Sequence, residues 1–240
     1  MRLSVLLATV LVAFANIAST APLCTSLGNS DHVATMADYV AQSSVGCIIG
    51  DKLFSNFLYI GTAFGTGVVA PDTQVYLTPV GADTYNPGIV FSSNGWVVPG
   101  AAPGVNSYVD ATIGFTVTVL NGGHLIEDAS MTLSSFATAG TARANIGETV
   151  TPGGAQGSLN LAVDSAGALV SHQYFTPTDT VTVLKDLILA APPSAFGSGS
   201  AQITSFAENF SEIPEPVGAV LIGSGLLALG IWRRRVSRRG

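Results

Sequence analysis

The chain has 240 residues, 48% of them hydrophobic and only 10% charged, with a formal net charge of −6. Its charge is segregated: five of the nine basic residues lie in the last eight positions, and Arg2 lies in the apolar N-terminal segment. Between the two ends only Lys52, Arg143 and Lys185 stand against fourteen acids from Asp31 to Glu212, a net charge near −11. Such a surface repels phosphate backbones and anionic lipid, which excludes nucleic acid as a partner.

The first segment, MRLSVLLATVLVAFANIAST, joins a basic residue at Arg2 to an apolar run from Leu3 to Phe14 and then to small residues. That is the physical form of a secretory signal peptide, expected over residues 1–21. Three cleavage positions satisfy the small-residue rule to different degrees: Ala15 of Ala13-Phe14-Ala15, Ala18, and Ala21, the last weakened by Pro22. The remainder to residue 212 is long enough for one domain with a sizeable core. Cys24 and Cys47 are the only cysteines. An even count in an exported chain reads as a disulfide, worth about 3 kcal/mol for a loop of this length. Two metal-binding thiols would need further ligands, and only His32 is near in sequence. Between the cysteines, SDHVATMADYVAQSS places Val33, Met36, Ala37 and Val40 at helical spacing behind Ser30, which predicts one short helix capped by Ser30 and ended by Gly46.

After Gly46 the period changes. LFSNFLYIGTAFG, TQVYLTPV, GIVFSS, WVVP, IGFTVTVL and VTVLKDLILA are rich in β-branched and aromatic residues. In IGFTVTVL, Ile113, Phe115, Val117 and Val119 point one way and Thr116 and Thr118 the other, a strand with one buried face. Asn94-Gly95 and Asn121-Gly122 carry the dipeptide that favours tight hairpins. APPSAFGSGSAQ has linker composition, but QITSFAENF after it reads as a closing strand, which puts the linker at residues 211–214. The expectation is about ten strands in a mainly β, antiparallel two-sheet sandwich, jelly-roll-like, with one short N-terminal helix.

Motifs for chemistry are scarce. His32, His124 and His172 are far apart and lack metal-ligand spacing. Glu127 and Asp128 are adjacent, so on a strand they face opposite sides and do not form an acid/base couple by themselves. No nucleophile elbow, P-loop or CxxC occurs; Gly223-Ser224-Gly225 lies inside an apolar run. Calcium could sit at the scattered acids Asp51, Asp72, Asp83 and Asp110, but an acidic surface that keeps the protein soluble explains them better. The expectation is therefore no enzyme, no cofactor and no metal site. Trp96, Tyr76 and Tyr108 could stack on sugar rings if exposed, although their place in strand patterns assigns them to the core.

The chain ends IPEPVGAVLIGSGLLALGIWRRRVSRRG. Residues 217–232 are uncharged, roughly 24 Å as a helix against a hydrocarbon core of about 30 Å. Trp232 suits the interface, and Arg233, Arg234, Arg235, Arg238 and Arg239 supply a positive-inside stop. With the signal peptide, that orients the domain outside and residues 233–240 in the cytoplasm. Pro214, Glu215 and Pro216, a short apolar helix and an Arg-rich end together resemble the PEP-CTERM sorting tail of Gram-negative bacteria, here over residues 213–240. The resemblance implies that an inner-membrane exosortase recognises and cleaves the tail, releasing the protein to the cell surface or extracellular matrix of an exopolysaccharide producer. CIIGDKLFSNFLYI, KDLILA and AQITSFAENFSEIPEP also resemble an ectodomain that recurs with this tail. The expected function is that of an exported surface or matrix protein. A carbohydrate-binding module holding exopolysaccharide is the alternative, and a secreted hydrolase a third reading that lacks a catalytic constellation.

Overall fold

The computed structural model describes residues 21–28, 33–100, 104–120, 123–193 and 199–213. Most of the expected signal peptide, Ser30, His32 and the whole tail from Pro214, with its arginines, lie outside the described residues. No helix among the described residues is long and apolar enough to cross a membrane.

Alternation of side chains dictates the architecture. In β5 (Ser107–Val119), Val109, Ala111, Ile113, Phe115 and Val117 are buried while Thr116 and Thr118 are only partly covered, as the sequence pattern requires. The same two-residue period buries Val181, Val183, Leu187 and Leu189 of β10 (Thr180–Ala191). Strands with one apolar face must pack it against another such face, and the result is a sandwich of two antiparallel sheets. The front sheet runs β1 (Cys47–Ile49), β2 (Lys52–Phe64), β5, β10, β7 (Arg143–Pro152), β8 (Leu159–Asp164). The back sheet contains β12 (Glu212–Ile213), β6 (Leu125–Thr138), β11 (Ala201–Asn209), β4 (Gly88–Val98) and β3 (Tyr76–Val80), with β9 (Val170–Thr178) also pairing β6. Of the twelve strands among the described residues, β1 and β12 have three and two residues, too short to leave a periodic signature. The core between the sheets is aromatic: Phe91 stacks on Phe206 at 4.9 Å, with Trp96, Phe115, Phe54 and Phe210 around them.

Three local expectations change. The helix α1 spans Met36–Ala41, and its N-cap is Thr35, not Ser30. The Asp38 carboxylate accepts the Thr35 N–H (2.8 Å) and hydroxyl (2.9 Å), a capping box that fixes the start there. The helix buries Met36 and Tyr39 and leaves Val33 and Val40 exposed; the chain then turns through Gly46 at φ 74°, as expected. Asn94-Gly95 is not a hairpin. β4 runs straight through it, and pairing with β11 slips between Ile203 and Ser205, so β4 carries extra residues in a bulge. Gly95 is needed because a Cβ there would lie 2.9 Å from the Ala70 Cβ. Nor do β5 and β6 form a hairpin across residues 121–122, because β5 belongs to the front sheet and β6 to the back.

Cys24 and Cys47 are bonded, with their Cα atoms 4.8 Å apart. The bridge ties a 3-10 turn at Cys24–Ser26 to β1, and both cysteines are buried.

Candidate functional site

Of the three Lys and Arg residues in the domain, Lys52 and Lys185 are wholly buried and Arg143 is exposed. Asp128, Glu148, Glu208 and Glu212 are buried as well, so the exterior stays acidic with Arg143 as its one basic residue among those described, and both buried lysines must be paired inside.

Lys52, at the start of β2, sits between Asp51 Oδ1 (2.5 Å) and Glu212 Oε1 (2.8 Å). The other oxygens of these acids face His124 Nδ1, at 3.6 Å from Asp51 and 3.5 Å from Glu212, and Asp51 also accepts the His124 backbone N–H at 2.5 Å. Tyr85 lies edge-on to the His124 ring at 5.0 Å. Burial pushes the Asp51 carboxyl up, but hydrogen bonds from Lys52 and the His124 N–H outweigh it and hold the group below its ordinary value. Glu212 goes the other way, raised by burial against the pull of Lys52. Asp51, His124 and Glu212 offer three ligand atoms within 4.8 Å of one another. The Lys52 ammonium already supplies the positive charge there, and a divalent ion would have to share the carboxylates with it. The cluster therefore acts as an ion-pair clasp that fastens the C-terminal strand β12 to the β1–β2 turn. Glu212 is thus a buried, paired residue at the sheet edge, where the sequence had suggested a linker.

Lys185 lies inside the sandwich. Its Nζ contacts Glu148 Oε2 from the neighbouring strand β7 and Glu208 Oε2 (2.6 Å) from β11 of the opposite sheet. All three side chains are completely buried, and the Phe206 ring lies 6.0 Å from the ammonium. Burial lowers the Lys185 pKa and raises that of Glu208 to about 7, against the opposing pull each exerts on the other. Asp128 is buried, accepts the Ser211 N–H (2.9 Å) and pairs with His172 Nε2 (2.7 Å); Glu127 is less covered, in line with the opposite-sides expectation.

A further concentration of polar and aromatic groups is the outer face of the front sheet. Register assigns its rows. Phe64, Tyr108, Ala190 and Arg143 lie side by side across β2, β5, β10 and β7. Below them come Thr62, Asp110, Ile188 and Asn145; then Ile60, Thr112, Asp186 and Gly147; then Leu58, Gly114, Leu184 and Thr149, with Asn160 of β8 beside Thr149. Phe64 and Tyr108 stack at 5.7 Å and are 56% and 42% exposed, an aromatic platform bordering a hollow of about 340 Å³. In the middle of the sheet, Asp110, Thr112, Thr149, Asn160 and Asp186 line a groove of about 520 Å³. Its floor is open at Gly147, where an added Cβ would meet no atom closer than 4.0 Å. Asp186 is raised by partial burial, and by the charge of and a hydrogen bond with Asp110. Carboxyl, hydroxyl and amide groups together present hydrogen-bond partners to ligand hydroxyls.

The three aromatics singled out in the sequence divide. Trp96 is fully buried and donates its indole N–H to Tyr59 (2.9 Å), which in turn donates to the Ala70 carbonyl (2.6 Å). The core assignment fails for Tyr76 and Tyr108, which are 41% and 42% exposed because both lie on the outward parity of their strands. Phe64 and Asp186 escaped notice. Asp186 alternates with Val183, Lys185 and Leu187 in β10, so its outward direction was readable from the strand period. Of the scattered acids, Asp51 joins the Lys52 clasp, Asp110 joins Asp186, and Asp72 lies near enough to Tyr59 to raise its phenol, after burial.

No family model and no curated protein matches the chain. Among solved structures it is similar to TmCBM61, a carbohydrate-binding module in complex with β-1,4-galactotriose, at 10% identity and a TM-score of 0.28, over 64% of this chain and 88% of that one. So slight a likeness leaves the functional reading to rest on the site itself.

Proposed function

We propose that this is an exported surface or matrix protein whose front-sheet outer face binds a neutral polysaccharide. The observation that carries the reading is one continuous β-sheet face on which a stacked Phe64–Tyr108 platform adjoins a groove lined by Asp110, Asp186, Thr112, Thr149 and Asn160. Sugar rings offer apolar C–H faces to aromatic side chains and hydroxyls to carboxylates, threonines and amides; this face supplies both kinds of partner in one line. The acidic exterior repels polyanions, which favours an uncharged chain.

Titration calorimetry with fragments of the host's exopolysaccharide tests this. Tyr108→Ala should weaken binding about five- to tenfold, or about 1–1.4 kcal/mol. Gly147→Val should abolish it by filling the groove floor, while the melting temperature holds, since valine suits a strand and meets open space. Unchanged affinity in both variants would remove the face from consideration.

Delivery to the surface through the Pro-Glu-Pro tail is part of the same proposal and rests on the sequence. Changing Pro214-Glu215-Pro216 to three alanines should leave an uncleaved, membrane-bound precursor ending at Gly240. The mass of the surface-exposed protein, in wild type and in an exosortase deletion, checks this. The same full-length species in both would reduce the tail to a plain anchor.

A further inference from the structure

Lys185 and Glu148 are direct cross-strand partners of β10 and β7, and their side chains meet inside the sandwich. From the opposite sheet, Glu208 Oε2 reaches the same Nζ at 2.6 Å. Glu148 Oε1 and Glu208 Oε1 are also buried and have no hydrogen-bond partner. One ammonium and two carboxylates withdrawn from water are costly as ions, and such a setting favours the neutral amine and the neutral acid. Those are the forms that amide formation requires. In water an amine and a carboxylic acid are rarely neutral together, because their pKa values lie far apart.

We propose that Lys185 and Glu148 condense into an intramolecular amide, with Glu208 as the catalytic proton carrier, stapling β10 to β7 across the front sheet. The Lys185 nitrogen lone pair attacks Glu148 Cδ, forming the N–C bond. Glu208 takes a proton from the nitrogen and delivers it to the departing Glu148 oxygen; the C–O bond breaks and one water leaves. Ammonium and carboxylate thus become amide and water, with no oxidant, reductant or co-reactant. Proximity supplies the drive, since positioned intramolecular partners behave as if at about 10⁵–10⁸ M. The product removes two buried charges, and its remaining N–H is left beside the Glu208 carboxylate. The inference is independent of any glycan ligand.

The test is the mass of the full exported chain after reduction and denaturation, followed by peptide sequencing. The expected result is a loss of one water relative to the processed sequence, mapped to a Lys185–Glu148 link, with no tryptic cleavage after Lys185. Glu208→Gln keeps the size but loses the titrating group, and should restore the unlinked mass in folded protein. Asp83→Asn, an exposed loop residue outside both the groove and the buried cluster, should leave the link intact. Folded wild-type protein at its full linear mass, or a water loss mapping elsewhere, would overturn the proposal. Undiminished linkage in Glu208→Gln would overturn the role of Glu208. Should that variant fail to fold, the wild-type mass still decides the link.

Discussion

Replacing Lys52 with methionine should destabilise the domain by about 3–5 kcal/mol, the usual consequence of removing one partner from a buried ion pair. Methionine fills most of the volume, so the loss comes from electrostatics. Without the ammonium, Asp51 and the buried Glu212 are left facing each other, with only the half-exposed His124 beside them. Urea unfolding of wild type and variant measures the loss. Adding Glu212→Gln to the Lys52→Met protein should recover part of it, because the naked buried charge is then gone. If the two changes add independently, the clasp is not a coupled unit. The pH dependence has a defined sign. Asp51 titrates below its ordinary value of 3.8, so its share of stability is present above that value and is lost as pH falls through the lower folded one.

Cys47→Ser should cost about 2–5 kcal/mol. The bridge closes a loop that contains all of α1, and sulfur is replaced by a hydroxyl at a position with 0% exposure. Part of the penalty is therefore the restored freedom of the unfolded chain, and part is desolvation of the serine. Denaturation of the oxidised wild type against the variant gives the number. Mass spectrometry of periplasmic material should find no free thiol; finding both thiols free would remove the disulfide from the native protein.

Much of the fold was legible because its determinants are local. Alternating Ile113, Phe115 and Val117 announce a one-faced strand, and two cysteines behind a signal-peptide-like segment announce a bridge. What was not legible depends on distant partners. Asn94-Gly95 has the chemistry of a hairpin turn, yet β11 pairs straight across it and makes the pair a bulge. A second bulge at Asn56, with φ 56°, decides the candidate site. Before it Lys52 and Phe54 point inward; after it Phe57 is buried, and Leu58, Ile60 and Phe64 face out. A strand without that slip would bury Phe64, so no period count along β2 could put the aromatic platform on the surface. Lys185 was readable and overlooked: it shares the parity of Val183 and Leu187, and its partners Glu148 and Glu208 emerge only from the pairing of β10 with β7 and the packing of β11.

The most direct test of the polysaccharide-binding face is hydrogen exchange on the full-length protein, with and without fragments of the host's exopolysaccharide. Saturating ligand should slow exchange in peptides covering β5, β7 and β10 around Tyr108, Gly147 and Asp186, and leave β3, β4 and β9 unchanged. Protection confined to the back sheet, or none at any concentration, would contradict the assignment of this face as the binding site.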